Sequence, residues 1–268
     1  MKTATTKLRP PIKRHGGKAY LARRIVSHFP AHRTYVEPFA GGLSVLLNKP
    51  RSTVEVASDL DARLINFWRH LCNSPMLLGM LAETDYSESS FQDATRLVGA
   101  ENDGCTAAWA YVVNNRMSRG GLGKTFAWSD RLRGGQPGDV NAWDTIRQEL
   151  PAIIDRMRNV RLSCLPAVEV VLLYDSPDTL VYADPPYMPE TRTARSTYDY
   201  EMAVDAHREL LRVLCGARSA VCLSGYRSPL YDAALADWQR VEWDMPNHSG
   251  QGATKQRRTE CLWIKKRG

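Results

Sequence analysis

The chain has 268 residues, with 36 lysines and arginines against 29 acidic residues, a net charge of +7, and 43% hydrophobic positions. That is a globular composition with enough chain for a full core, and no apolar run approaches the ~20 residues that cross a bilayer, so a membrane span is excluded and a cytoplasmic protein is expected. The six cysteines include no C-x-x-C pair, so reduced thiols and no bound metal are expected.

Every charge before Glu37 is positive, and this basic arm holds a Gly16-Gly17-Lys18 turn. Residues 34–39 read as a strand ending in Glu37-Pro38-Phe39; Ala40-Gly41-Gly42 then makes a flexible turn before a helical stretch over 43–48. A second strand, 53–59, ends in Asp59, and a helix starts near Asp61. Two such units suggest a nucleotide-binding half-sheet, but the turn lacks the G-x-G-x-x-G spacing, so an adenosine without a pyrophosphate is the ligand it fits.

From 66 to 159 the alternation stops and helical patterns cover 71–82, 89–98, 107–117 and 142–159, around an irregular basic stretch at 118–141. The expected organisation is an α/β domain of 1–66 and 160–268 with an inserted, mostly helical lobe at 67–159 that carries a substrate-facing loop. Arg116, Arg119, Lys124, Arg131 and Arg133 are opposed there only by Asp130 and interleaved with Phe126 and Trp128, a pattern suited to phosphate contact plus stacking. Gly120-Gly121-Leu122-Gly123-Lys124-Thr125 imitates a phosphate loop, but Ser118 stands where its first glycine belongs and no strand precedes it. The α/β alternation returns with strands at 160–165 and 179–183, a helix over 201–215, a strand at 219–224, a short helix near 229–236 and strands at 241–243 and 260–265.

The 179–183 strand runs into Asp184-Pro185-Pro186-Tyr187. Two prolines fix φ and remove two N–H groups, so the chain leaves the sheet in a stiff turn whose carbonyls can face a ligand. A carboxylate, a free carbonyl and an aromatic face together can grip a flat base by its exocyclic amine.

In this order, Gly16-Gly17-Lys18, Glu37-Pro38-Phe39-Ala40-Gly41-Gly42 and Asp184-Pro185-Pro186-Tyr187 resemble the motifs of the Dam-type, alpha-group DNA adenine-N6 methyltransferases over nearly the whole chain. The resemblance implies S-adenosylmethionine as cofactor and a Rossmann-like α/β fold, with about seven mostly parallel strands and an inserted target-recognition lobe. It implies double-stranded DNA as substrate, a monomer, and a cognate restriction endonuclease as the partner such enzymes can have. Asp184, Pro185, Pro186 and Tyr187 would be catalytic. The cofactor would be held by Asp59 at its ribose, Glu37 at its ammonium and Lys18 at its carboxylate, with Phe39, Gly41 and Asp184 completing the site. Arg14 stands where the family more often has an aromatic residue stacked on the cofactor adenine. The competing roles are a helix N-cap for Asp59 and a solvated side chain for Lys18. DNA contacts would come from Asn115, Arg116, Arg119, Lys124, Trp128 and Arg131 in the lobe, from Arg192 and Tyr198 after the tetrad, and from His248 and Ser249 before the last strand. The rival functions are methylation of another planar amine, such as cytosine N4 or RNA adenine, and a catalytically silent DNA-binding protein.

Overall fold

In the computed structural model, which describes residues 7–14, 16–98, 103–188, 202–246 and 257–265, the apolar runs form a mostly parallel α/β sheet. The strands are β1 (Thr34–Glu37), β2 (Val54–Ser58), the two-residue β3 (Leu132–Arg133) and β4 (Gln136–Pro137), β5 (Val160–Ser163), β6 (Thr179–Ala183), β7 (Ala220–Gly225), β8 (Gln239–Pro246) and β9 (Arg257–Lys265). Seven of them make one sheet in the order β5-β2-β1-β6-β7-β9-β8, and β3 and β4 make a small hairpin. β1 runs parallel to β2 and β6, and β6 parallel to β7; β9 is antiparallel to both β7 and β8. The chain moves outward from β1 to β2 and later returns to lay β6 on the other side of β1, so the strand order reverses between β1 and β6. In open α/β sheets that is where ligands bind, beyond the carboxyl ends of the strands.

By internal packing the chain divides into two compact units, Met1–Val26 with Ala40–Pro50 and Asp61–Cys164, and Ser27–Phe39 with Arg51–Leu60 and Leu165–Gly268. The first holds α1 (Ala22–Val26), α2 (Ala62–Asn73), α3 (Pro75–Glu83), α4 (Glu88–Val98), α5 (Gly104–Met117) and α6 (Gly138–Met157). Asp61 starts α2 by accepting the N–H groups of Arg63 and Leu64, and Pro75 opens α3 at a position where no N–H is needed. α5 buries Ala107, Ala108, Ala110, Val112 and Val113 and is apolar nearly all round, as the central helix of a bundle must be. The lobe expected at 67–159 lies within this unit, which also takes in α1, the start of α2 and the turn after β1.

The second unit adds α7 (Ala167–Leu173), α8 (Val204–Gly216) and α9 (Pro229–Ala234). All five residues of β6 and all six of β7 are buried, the continuous burial of inner parallel strands. Val36, Val56, Val181 and Val221 from the strands share one core with Val170, Leu210, Leu214, Tyr231 and Trp263.

Two expectations change. The helix over 43–48 is a series of turns closing on a 3-10 turn at Leu46–Asn48, because Gly41 and Leu43 take positive φ (46° and 53°) and interrupt helix geometry. α7 adds a helix to the expected elements, since seven residues after Pro166 are too few to show a helical period.

Candidate active site

The second unit brings three carboxylates to one edge of the sheet. Thr34 pairs with Val54 on β2 and with Thr179 on β6, so these three parallel strands end at nearly the same level. Glu37 is the last residue of β1, and Asp59 and Asp184 each follow the last residue of their strands, Ser58 and Ala183. Glu37 is 3% exposed and accepts a 2.7 Å hydrogen bond from the Tyr35 hydroxyl. Burial, and then the Glu37 charge, hold the Tyr35 phenol well above its ordinary pKa, so it remains a donor to that carboxylate. Asp59 and Asp184 are half-buried, and half-buried Phe39 packs on the sheet core. The N-cap role that competed for Asp59 belongs to Asp61, whose Oδ1 accepts from Arg63 N at 3.1 Å and Leu64 N at 3.2 Å.

Past β6, Pro185 and Tyr187 are buried while Asp184 and Pro186 are half-buried. The Tyr187 hydroxyl donates to Glu260 Oε1 at 2.6 Å, and its ring lies 4.3 Å, centroid to centroid, from that of Tyr226. Burial first, then Glu260, hold the Tyr187 phenol well above the ordinary value. In the same core His207 Nδ1 and the Tyr231 hydroxyl are 2.9 Å apart; burial, and then the charge of Asp184, raise the Tyr231 phenol.

In the first unit Lys18 is 4% exposed and donates to the Gly16 carbonyl at 3.0 Å, so it is not a solvated lysine. Gly16 has φ of 73°, a left-handed position that favours glycine, and closes the turn in front of it. Arg14 donates to Asp61 Oδ2 at 2.9 Å and to the Tyr111 hydroxyl at 2.5 Å, which ties its guanidinium to the cap of α2 and to α5. Gly41 accepts from Trp68 Nε1 at 3.2 Å, and a Cβ built on it would meet nothing within 4 Å.

The lobe residues divide in two. Asn115 is buried; its Oδ1 accepts from Lys13 N at 2.7 Å and its Nδ2 donates to Lys13 O at 2.9 Å and Gly121 O at 3.0 Å. Half-buried Arg116 donates to Ala142 O at 3.2 Å, and burial pushes its guanidinium pKa down to about 10. The structure has the end of α5 use both side chains to hold its own surroundings. Arg119, Lys124 and Arg131 are exposed, as is Trp128 at 48%, whose ring stacks on Phe126 and whose Nε1 donates to Asp130 at 2.8 Å. Arg192, Tyr198, His248 and Ser249 lie outside the described residues.

Sequence reasoning missed Glu260, Tyr226 and Tyr111. Only Glu260 carried a signal, as the single acid of a basic segment, directly before the apolar run Cys261-Leu262-Trp263-Ile264.

S-adenosylmethionine presents an ammonium, a sulfonium and two ribose hydroxyls. A set of acceptors dominated by strand-end carboxylates fits those groups, and the turn after β1 offers none of the extended glycine loop a pyrophosphate needs. Comparison with known sequences points the same way. The family model for D12 class N6 adenine-specific DNA methyltransferases matches residues 15–102 and 141–237, leaving out α5 and the basic loop after it. Two proteins described as DNA adenine methylase, from the Classical Ogawa and El Tor Inaba strains of Vibrio cholerae serotype O1, are each 28% identical over 200 residues, covering 71% of this chain and 69% of theirs. Among solved structures, the rRNA methyltransferase aviRa from Streptomyces viridochromogenes aligns over 92% of this chain and 84% of its own at 14% identity, with a TM-score of 0.38. With the family model matched on both sides of the basic loop, the chain belongs to the D12 class of N6 adenine-specific DNA methyltransferases, whose methyl donor is S-adenosylmethionine.

Proposed function

We propose that this protein, as a monomer, binds duplex DNA, turns one adenine out of the stack and methylates its N6. The observation that carries this reading is the row of Asp59, Glu37 and Asp184 at the carboxyl ends of β2, β1 and β6, with Pro185-Pro186-Tyr187 continuing from the third.

Asp59 would take the ribose hydroxyls, Glu37 the ammonium and Lys18 the carboxylate of the cofactor, with Phe39 and Gly41 lining the site. The Arg14 carbonyl accepts from Gly17 N at 3.3 Å in the Gly-Gly-Lys turn, and its guanidinium is bonded to Asp61. The bound cofactor supplies a methyl group made electrophilic by a sulfonium. The exocyclic amine is a poor nucleophile because its lone pair is delocalised into the ring. Asp184 and the Pro185 carbonyl would each accept one of its N–H groups, drawing the lone pair toward the methyl, while the Tyr187 ring holds the purine. Well-oriented reactants gain about 7–11 kcal/mol from proximity, so positioning supplies most of the rate. Turning the base out costs a few kcal/mol. Phosphate contacts from Arg119, Lys124 and Arg131 would offset that cost and make binding fall steeply with salt.

The test is Asp184→Ala. Methyl transfer to DNA is expected to vanish while the fold and DNA binding persist; retained activity would overturn the assignment of the catalytic carboxylate. Single-molecule sequencing of DNA from a methylation-free host expressing the chain would report the modified base, and methylated cytosine there would overturn the adenine reading.

A further inference from the structure

The end of the sheet that carries the Asp184 tetrad also buries a carboxylate that the reaction above does not use. Glu260 on β9 is 7% exposed and adjoins the buried apolar run Cys261-Leu262-Trp263-Ile264, a costly place for a charge unless it is hydrogen-bonded. Its Oε1 accepts the Tyr187 hydroxyl at 2.6 Å, the length of a strong charge-assisted bond.

Strand pairing explains how residues 73 apart in sequence meet. β6 lies beside β7, which runs antiparallel to β9 with Gly225 opposite Cys261, so the next step brings Tyr226 level with Glu260. The Tyr226 ring lies against that of Tyr187, and the Arg258 guanidinium stands 5.4 Å over the Tyr226 ring. Arg258 is two residues before Glu260 and therefore on the same face of β9. A carboxylate thus holds the tip of the Tyr187 phenol, an aromatic ring supports its flank, and a cation steadies that ring from outside.

We propose that Glu260 is a positioning residue for the target base: by accepting the Tyr187 hydroxyl hydrogen, with Tyr226 backing the ring, it fixes the plane on which the purine stacks. This rests on the role proposed for Tyr187. A phenol anchored at one end can still swing about two side-chain torsions, and the tether with the flanking ring removes that freedom. In-line transfer tolerates little of it, because a reacting group about 1 Å out of place loses on the order of a hundredfold in rate. The phenol's raised pKa keeps it protonated at working pH, as a donor to Glu260 must be.

The test uses the full chain, unmethylated genomic DNA and labelled S-adenosylmethionine, with Glu260→Leu, Glu260→Gln and Tyr187→Phe alone and combined. Glu260→Leu and Tyr187→Phe are each expected to lower kcat roughly tenfold or more, the worth of one hydrogen bond to a charged group. Glu260→Gln, which keeps an acceptor at the same place, should lose less. The cofactor Kd should not move, and Glu260→Leu should add no further loss once Tyr187 is phenylalanine. A full multiplicative loss in that background, or a Glu260→Leu variant with wild-type kcat and only a lowered Tm, overturns the inference. If Asp184→Ala stays active, the functional reading fails; if Asp184→Ala is inactive and Glu260→Leu has wild-type kcat, only the role of Glu260 fails.

Discussion

The carboxyl edge of β2, β1 and β6 and the end of α5 are equally rich in polar residues, yet the two regions use them differently. At the strand edge the backbone hydrogen bonds are made within the sheet, so Glu37, Asp59 and Asp184 are placed by topology at a position where ligands bind. At the end of a helix the last carbonyls have no partner in the helix, and nearby side chains are recruited to them. Lys13 Nζ donates to Arg116 O at 2.6 Å and Ser118 O at 3.1 Å, and Asn115 joins Lys13 to Gly121. Farther along the loop, Arg119, Lys124, Trp128 and Arg131 are exposed. A polar residue at a parallel strand's end therefore says more about chemistry than one at a helix end.

The comparison breaks most visibly if the strand-edge acids prove structural. Asp184→Asn is expected to lower methyl transfer by roughly a hundredfold or more, the scale on which a mispositioned or weakened acceptor costs catalysis, with Tm unchanged. A variant that melts early and keeps its specific activity would place Asp184 with Asn115. The converse variant, Asn115→Ala, leaves Lys13 N, Lys13 O and Gly121 O without the partner they now share. It is expected to lose roughly 1–3 kcal/mol of unfolding free energy for each group left buried and unsatisfied, with the salt slope of DNA binding unchanged. A normal urea midpoint with a flattened slope would mean that Asn115 reaches DNA.

Much of this division is legible in the sequence, and the rest is hidden for physical reasons. The β6 run Thr179-Leu180-Val181-Tyr182-Ala183 is apolar because it is covered on both faces, and its end at the double proline marks the site without any knowledge of partners. The turn at 43–48 reads as helix because no local pattern announces the positive φ that Leu43 takes. Asp59 and Asp61 are both acids near a helix start, and only the observed bonds to Arg63 and Leu64 assign the cap to Asp61. The solvated role that competes for Lys18 falls away only once the fold buries it, and Glu260 meets Tyr187 only when β9 returns beside β7. What escapes a sequence reading is contact between distant segments, and the inward turn of Asn115 and Arg116 is of that kind.

The loop residues sharpen the comparison with a smaller effect. Replacing Arg119, Lys124 and Arg131 together by alanine removes three exposed cations without touching a buried contact. The slope of log K against log salt is expected to flatten by about 0.9 for each phosphate that is no longer neutralised, with the urea midpoint unmoved. An unchanged slope would show that this face of the lobe does not meet phosphate.

The smallest effect concerns Lys13, whose pKa is lowered from 10.5 to about 8 by burial and then by the Arg116 charge, with Asp139 opposing. Below pH 8 the amine is charged in both the folded and unfolded chain, and the folded state bears the whole penalty of burying it. Between pH 8 and 10.5 the folded protein releases that proton while the unfolded chain keeps it. The unfolded state then binds more protons, so this group's contribution to stability rises with pH across that window. Lys13→Met removes the titration. The stability of the wild type relative to Lys13→Met should therefore increase from pH 7.5 to about 10, read as the difference in urea midpoints at each pH. A difference that stays flat would mean that the amine is hydrated. Lys13 would then stop counting among the side chains that α5 has drawn inward.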